Sequence, residues 1–467
     1  MKKNDNIAVA DINKCLTYTE LEDQINITIK KIQKYGIQPF DVVMLRAESK
    51  VEFVYCYLAL HRIKAICIPF SSKANEIYIN KLAWLSGTRY CISDVEKCAI
   101  INMESGRSKK VKNEKNIYDI LYTSGTTSQG KGVILSEKAV GQSINNIVAA
   151  LDLKKEDFVL LPLPLHHSHG LGTLRAALKR RSSVILSNGI IDIEPLMQKY
   201  PCTILSCSPT MIEWIIRRYN VKCQSIFHSI RCIEIGTAPL VGNSRKRVKE
   251  IFQNKKILIS YGATEAPRAI YMDLTNNSKE YAIGKPVGDY IVQIFRSNSN
   301  CICPKNEVGM LGVYSKALMD GYLNVDIPKE KIWRGKFFLT GDIGYVDDDN
   351  DVILVGRNSD LIIIGGEKVY ASEIEQLVNE IQGVNECICI GVKTENLLLQ
   401  EKIIAFVKEE NNYSLTEKDI KLQLKGKIEN YKVPSEVLFI DNFPRNEMGK
   451  IDKARLKEFY GQRKIIV

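Results

Sequence analysis

Apolar positions change their period along the chain, and the change divides it. Leu21, Ile25, Ile29 and Ile32 recur at helical intervals, Thr17 with Glu20 ahead of them has capping-box spacing, and Gly36 closes the segment. A helix is therefore expected to open the fold. Short β-rich runs follow at 42–45, 65–69 and 90–93, separated by helical patterns such as 52–60. The rhythm continues through 159–163, 183–187, 203–206, 232–235 and 256–260, which read as buried strands. Such alternation predicts α/β layers with largely parallel sheets. After Gly356 the pattern shifts to a capped helix around 372–381, strands near 386–392 and 402–407, and a helix beginning near Thr416. We expect an α/β fold with a large N-terminal domain of layered sheets, residues 1–356, and a small C-terminal α+β domain, residues 357–467.

Composition agrees with this division. The chain has 467 residues, 45% apolar and 25% charged, enough to bury a large core in two or more domains. Lys2 and Lys3 are followed by neither an apolar block nor a small-residue cleavage site, and no run of about 18 uninterrupted apolar residues occurs. A soluble, cytoplasmic protein without a membrane span is expected. The 13 cysteines form no framework, and Cys301 with Cys303 and Cys387 with Cys389 lack the matching second pair of a zinc site. They are read as reduced structural thiols. The net charge of +11 comes mostly from lysines spread along the chain, and the charged segment 109–115 reads as an exposed loop, so no nucleic-acid partner is expected.

Candidate chemistry starts at Tyr122-Thr-Ser-Gly-Thr-Thr-Ser-Gln-Gly-Lys-Gly132, between the apolar runs 117–121 and 133–135. Small hydroxyl residues and glycines let backbone amides approach phosphate oxygens, and a lysine adds a mobile positive charge. The alternatives are a polar surface turn and a P-loop. Gly125, Gly130 and Lys131 match P-loop spacing, but Gly132 stands where that loop needs Ser or Thr for magnesium. With this loop come Pro162-Leu-Pro-Leu-His-His-Ser-His-Gly170, Gly236-Thr-Ala-Pro-Leu240, Ser260-Tyr-Gly-Ala-Thr-Glu265, Met319-Asp-Gly-Tyr322, Thr340-Gly-Asp342, Gly356-Arg357 and Gly449-Lys450. In this order they resemble the adenylate-forming superfamily of acyl-CoA ligases, stand-alone carrier-protein-loading ligases, peptide-synthetase adenylation domains and luciferases, over nearly the whole chain.

That resemblance implies a reaction and a set of roles. A carboxylate oxygen attacks the α-phosphate of ATP, so two anions must be brought together and the departing pyrophosphate neutralised by Mg²⁺. By resemblance Thr123, Ser124, Gly125, Thr126, Thr127 and Lys131 hold the phosphates, Thr264 contacts the α-phosphate, and Glu265 is the magnesium ligand. Tyr261 and Gly262 lie against adenine, while Gly236, Thr237 and Ala238 run along the base and acyl group. Asp342 takes the ribose hydroxyls with help from Arg357. Lys450 bridges carboxylate and α-phosphate, after which the small domain rotates about a hinge following Arg357, where Ser359 replaces the usual Asp or Lys. His169 and Gly170 border the acyl pocket, and Gly366 leaves room for a pantetheine arm.

The acid and its acceptor are less constrained. Amino-acid-activating relatives pair the substrate ammonium with an aspartate, but His166-His-Ser-His-Gly170 contains no acid, so a carboxylic acid without an α-amino group is expected. Leu171, Leu174 and Ile235 are candidates for an apolar acyl pocket; Arg175 and Arg268 are candidates to meet a second polar group. Three histidines on a strand-end loop lack the fourth ligand of a metal site. The acceptor is the thiol of CoA or of a phosphopantetheinyl carrier protein, which would be a separate protein because no carrier domain follows Val467. An amino-acid-activating enzyme and a non-catalytic adenylate-binding protein are the alternatives, the latter disfavoured by the presence of Lys131, Glu265 and Lys450.

Overall fold

The computed structural model describes residues 6–103, 116–123, 131–240, 243–277, 279, 282–297, 299–323, 325, 329–394, 399–410, 413–445 and 450–465. The segment 109–115, the loop residues Ser124, Gly125, Thr126 and Thr127, and Gly449 lie outside them. The opening helix is Tyr18–Lys34. Thr17 accepts from the Glu20 amide and the Glu20 carboxylate accepts from the Thr17 amide, closing the expected capping box, while Leu21, Ile25 and Ile32 are buried.

Phe158–Leu161, Ser183–Leu186, Ile204–Cys207, Cys232–Ile235 and Lys256–Tyr261 form the parallel part of a large sheet. Cys207 pairs with Ile235 and Ile235 with Ile259, so the carboxyl ends of these strands finish side by side. Crossover helices cover them, and the strands are accordingly apolar on both faces. Beyond Tyr261 the same sheet becomes antiparallel, through Ile270–Asp273, Ala282–Pro286, Val352–Arg357, Phe337–Val346, Gly309–Tyr314 and Ile291–Phe295. The expectation of largely parallel sheets thus fails for this half, where consecutive strands lack the crossover helix that parallel pairing requires. A second sheet is ordered Gly321–Leu323, Gly132–Ser136, Ile117–Tyr122, Ile66–Ser71, Val42–Ala47, Tyr90–Asp94 and Ala99–Asn102.

The C-terminal part has a core of its own, in which Ile374, Val378, Cys389, Ile403, Ala405 and Ile420 pack together. Val384–Lys393 pairs antiparallel with Glu401–Glu409, and Glu436–Phe439 adds in parallel. The helix expected at 372–381 is Ala371–Asn379, but no side chain caps it; the Ser372 hydroxyl bonds instead to the Val355 carbonyl. Lys453 Nζ reaches Asp360 at 2.9 Å and Glu375 at 3.3 Å, tying the final helix to the segment just after Arg357. All thirteen cysteines are free. No helix among the described residues is long and apolar enough to cross a membrane.

Candidate active site

In open α/β sheets, ligands bind beyond the carboxyl ends of parallel strands. The strand Lys256–Tyr261 runs into a tight turn in which the Ala263 and Ala266 amides each bond the other's carbonyl at 3.1 Å. Gly262 is required there, because a Cβ would stand 2.4 Å from the Arg268 amide nitrogen. Thr264 and Glu265 occupy the turn, half-buried. The Glu265 carbonyl accepts from the Met319 amide at 2.9 Å, and its carboxylate accepts from the Tyr322 hydroxyl at 2.7 Å. Tyr322 is paired in the second sheet with Val133, and Lys131 Nζ lies 5.2 Å from its ring centre. The Thr123 amide donates to the Lys131 carbonyl at 3.0 Å, closing the foot of the candidate phosphate loop. Tyr322 therefore joins that foot to the candidate metal ligand, a link invisible from the spacing of its motif.

Asp342, 7% exposed, accepts from the Tyr261 hydroxyl at 2.5 Å and from Arg357 Nε at 2.9 Å. Asp342 and Arg357 are also direct partners across the ladder of Phe337–Val346 and Val352–Arg357. The Asp342 charge raises the Arg357 guanidinium further above its ordinary range. Lys450, from the far end of the chain, lies within electrostatic reach of this group. Burial and then the Arg357 cation lower its pKa, while Asp342 and Glu265 act in the opposite sense. Burial, then the neighbouring His166 and Lys450, push His167 down to about 3. Lys450, Glu265, Asp342 and Arg357 are thus brought together by folding, from stretches separated by up to 185 residues by their numbering, 450 − 265.

The third wall begins where Cys232–Ile235 ends. A Cβ on Gly236 would stand 2.3 Å from both His169 Cε1 and Ser260 Oγ, so only glycine lets the imidazole approach the strand end. Thr237 follows with φ +78°, a left-handed conformation that is strained for a β-branched residue and is retained where the surroundings impose it. The hydroxyls of Thr237 and Ser260 are buried with no hydrogen-bond partner among the described residues. Buried polar atoms of this kind are what a polar ligand satisfies. Ala238 is half-buried beside them.

The histidine segment differs from its expected form. It is not a strand-end loop throughout, because the helix Ser168–Arg180 already contains His169 and Gly170, with His167 at its N-cap. The space of a Gly170 Cβ is taken by the Pro164 carbonyl oxygen, 2.4 Å away. Both arginines offered for a second polar group already hold a buried carboxylate, although Arg268 Nη1 has no hydrogen-bond partner among the described residues. Arg175 pairs with the buried Asp119 and bonds Tyr57. Arg268 Nε donates to Glu234 at 2.7 Å, with Glu234 0% exposed. Leu171, Leu174 and Ile235 are fully buried in the hydrophobic cores. Gly366 stands in the exposed turn between Leu361–Ile364 and Glu367–Tyr370 with φ +90°, and a Cβ there would meet nothing within 4 Å.

Sequence reasoning missed Glu234, Ser206 and Ser260. Burial alone would raise the Glu234 carboxyl, but Arg268 and His169 outweigh it and hold the group well below the usual range. Removing one partner from a buried ion pair strands the other charge, at about 3–5 kcal/mol. Arg268→Ala is accordingly expected to lower stability by about that amount in a urea titration; a loss below about 1 kcal/mol would show that Glu234 does not depend on this partner.

Residues 1–323 match the AMP-binding enzyme family and residues 373–450 match the AMP-binding enzyme C-terminal domain. The chain belongs to the AMP-binding enzyme family, the adenylate-forming ligases. It is 28% identical over 492 residues to 2-succinylbenzoate–CoA ligase of Geobacillus sp. (strain WCH70), covering 97% of this chain and 94% of that protein. Oxalate–CoA ligase of Arabidopsis thaliana is 28% identical over 486 residues, covering 95% and 93%. ATP-bound MatB from Rhodopseudomonas palustris shares the fold at a TM-score of 0.87 and 23% identity, covering 98% of this chain and 97% of that one. MenE of Bacillus subtilis with ATP and magnesium superposes at 0.82 and 22% identity, covering 97% of both chains.

Proposed function

We propose that this protein uses ATP to activate a carboxylic acid as an acyl-adenylate, releasing pyrophosphate, and then transfers the acyl group to the thiol of coenzyme A. The observation that carries the reading is the cluster in which Asp342 accepts from Tyr261 and Arg357 while Glu265 accepts from Tyr322, with Lys450 within electrostatic reach of both carboxylates. In the first step a carboxylate oxygen attacks the α-phosphorus, and the Lys450 ammonium, with Thr264, neutralises charge where the two anions meet. Asp342 and Arg357 hold the ribose, and Tyr261 lies beside the base. Thr123 and Lys131 at the described foot of the loop, with Ser124, Gly125, Thr126 and Thr127 beyond it, hold the triphosphate. Glu265, a half-buried carboxylate beside the foot of that loop, fits Mg²⁺, a hard cation that favours oxygen ligands. A bound Mg²⁺ would supply charge neutralisation for the leaving pyrophosphate.

Coenzyme A is preferred over a carrier protein because both curated relatives described above are CoA ligases by name. The boundary at 356/357, rotation of the C-terminal part and a cytoplasmic location belong to the same reading. An acid without an α-amino group is favoured on a further ground: Glu234 lies behind His169, but its oxygens already accept from Arg268, Tyr271 and Ser206. It is not available to a substrate ammonium. Pyrophosphate exchange into ATP is expected to require an added carboxylic acid, with ordinary amino acids the poorest of a panel of aliphatic, aryl and dicarboxylic acids. An amino acid as the best substrate would overturn the choice of acid, and acid-independent release of ADP would overturn the reaction.

A further inference from the structure

Behind His169 lies a buried polar chain that the adenylation chemistry does not use. The Ser206 hydroxyl donates to Glu234 Oε2 at 2.6 Å, and His169 Nε2 lies 3.2 Å from Ser206 Oγ and 3.4 Å from Glu234 Oε2. Arg268 Nε and the Tyr271 hydroxyl each donate to Glu234 Oε1 at 2.7 Å. Donor bookkeeping decides the histidine tautomer. An ionised carboxylate only accepts, so the Ser206 proton is committed to Glu234, and Ser206 can meet the imidazole only by accepting from Nε2–H. A neutral His169 then carries its lone pair on Nδ1. That atom faces the strand end, 2.9 Å from where a Gly236 Cβ would be.

We propose that Glu234 is a positioning residue for the thioester-forming step, fixing His169 as the Nε2–H tautomer so that Nδ1 accepts the proton of the incoming thiol. The inference rests on the function proposed above. In the step, the S–H proton passes to Nδ1 and the thiolate sulfur bonds to the acyl carbon of the adenylate. The bond from that carbon to the phosphate oxygen breaks, and AMP leaves with the electron pair. The resulting imidazolium faces the Glu234 carboxylate through Nε2, an arrangement in which a buried acid both orients a histidine and stabilises its charged form.

The groups around His169 set its proton affinity. Burial lowers it first, the Arg268 cation lowers it further, and Glu234 raises it. Tyr271, Cys207 and Cys232 stand near Glu234 and are all pushed upward by burial, so they stay uncharged at neutral pH. His166 and His167 precede His169 on its own segment, with Lys450 beside His167. The net direction is downward, which leaves His169 unprotonated near neutral pH and able to accept.

The double variant Glu234→Gln/Arg268→Gln removes both buried charges together and so avoids stranding either one. The chain has only five histidines, so ¹⁵N-histidine spectra, assigned with His169→Gln, read the tautomer directly. The wild type is expected to show His169 protonated on Nε2, and the double variant a mixture of tautomers. Single-turnover transfer from presynthesised acyl-adenylate to CoA, followed against pH, should fall by about 10-fold or more in the variant. The pH profile of that step should change shape, and pyrophosphate exchange should fall by much less. Nδ1 protonation in the wild type would overturn the proposal whether or not the variant folds. An unchanged profile in a folded variant, or equal losses in both half-reactions, would do the same. A wild type that forms no adenylate with any acid would instead sink the proposed function, while the tautomer would still be read.

Discussion

Lys450→Ala is expected to lose acyl-adenylate formation by about 10²-fold or more, while thioester formation from supplied acyl-adenylate continues near the wild-type rate. The reason is where the charge is needed. Negative charge crowds together only while the carboxylate approaches the α-phosphate, and Lys450, within electrostatic reach of Glu265, Asp342 and Arg357, is the cation proposed for that place. Once the adenylate exists, its formation no longer limits the reaction, and the remaining step needs a thiol rather than another cation. The measurement is a pair of single-turnover experiments on the same folded variant, one starting from ATP and acid, the other from the adenylate. Equal losses in both, or normal adenylation, would remove Lys450 from the role assigned to it.

Glu265→Gln is expected to lower adenylation by about 10²-fold or more at limiting Mg²⁺, with nucleotide binding largely kept. The amide preserves the shape that receives the Tyr322 hydroxyl and the backbone bond to Met319, so the turn itself should survive. What it removes is the negative charge that a hard divalent cation requires. Titrating Mg²⁺ at fixed ATP separates the two effects, because a metal defect moves the magnesium dependence. An unchanged rate at limiting Mg²⁺ would take Glu265 out of the metal site.

Elements whose pattern is local were legible in the sequence. The capping box predicted the start of Tyr18–Lys34, and the run at 232–235 is the observed strand Cys232–Ile235. What could not be read depended on partners distant along the chain. Arg268 read as a group free for the substrate because its carboxylate, Glu234, lies 34 residues earlier on a strand that otherwise reads as apolar core. The antiparallel half of the large sheet was hidden for a related reason, since short β-rich runs look alike whichever direction their neighbours take. The histidine segment misled through its composition: His and Gly are weak helix formers, yet His169 and Gly170 lie in the first turn of Ser168–Arg180, where Gly170 packs against the Pro164 carbonyl.

The pairing of Asp342 with Arg357 places a receptor and an axle on one rung. Asp342 is the carboxylate proposed above to meet the ribose, and Arg357 is the final residue of the strand Val352–Arg357, after which the C-terminal part begins. Their side chains are joined at 2.9 Å as well as their backbones. A ligand bonded to Asp342 Oδ1 would share the oxygen that already accepts from Arg357 Nε, while Oδ2 accepts from Tyr261, so nothing need travel through the rest of the protein for the strand end to sense it. Loading and movement would then share a single mechanical coordinate rather than communicate over a distance.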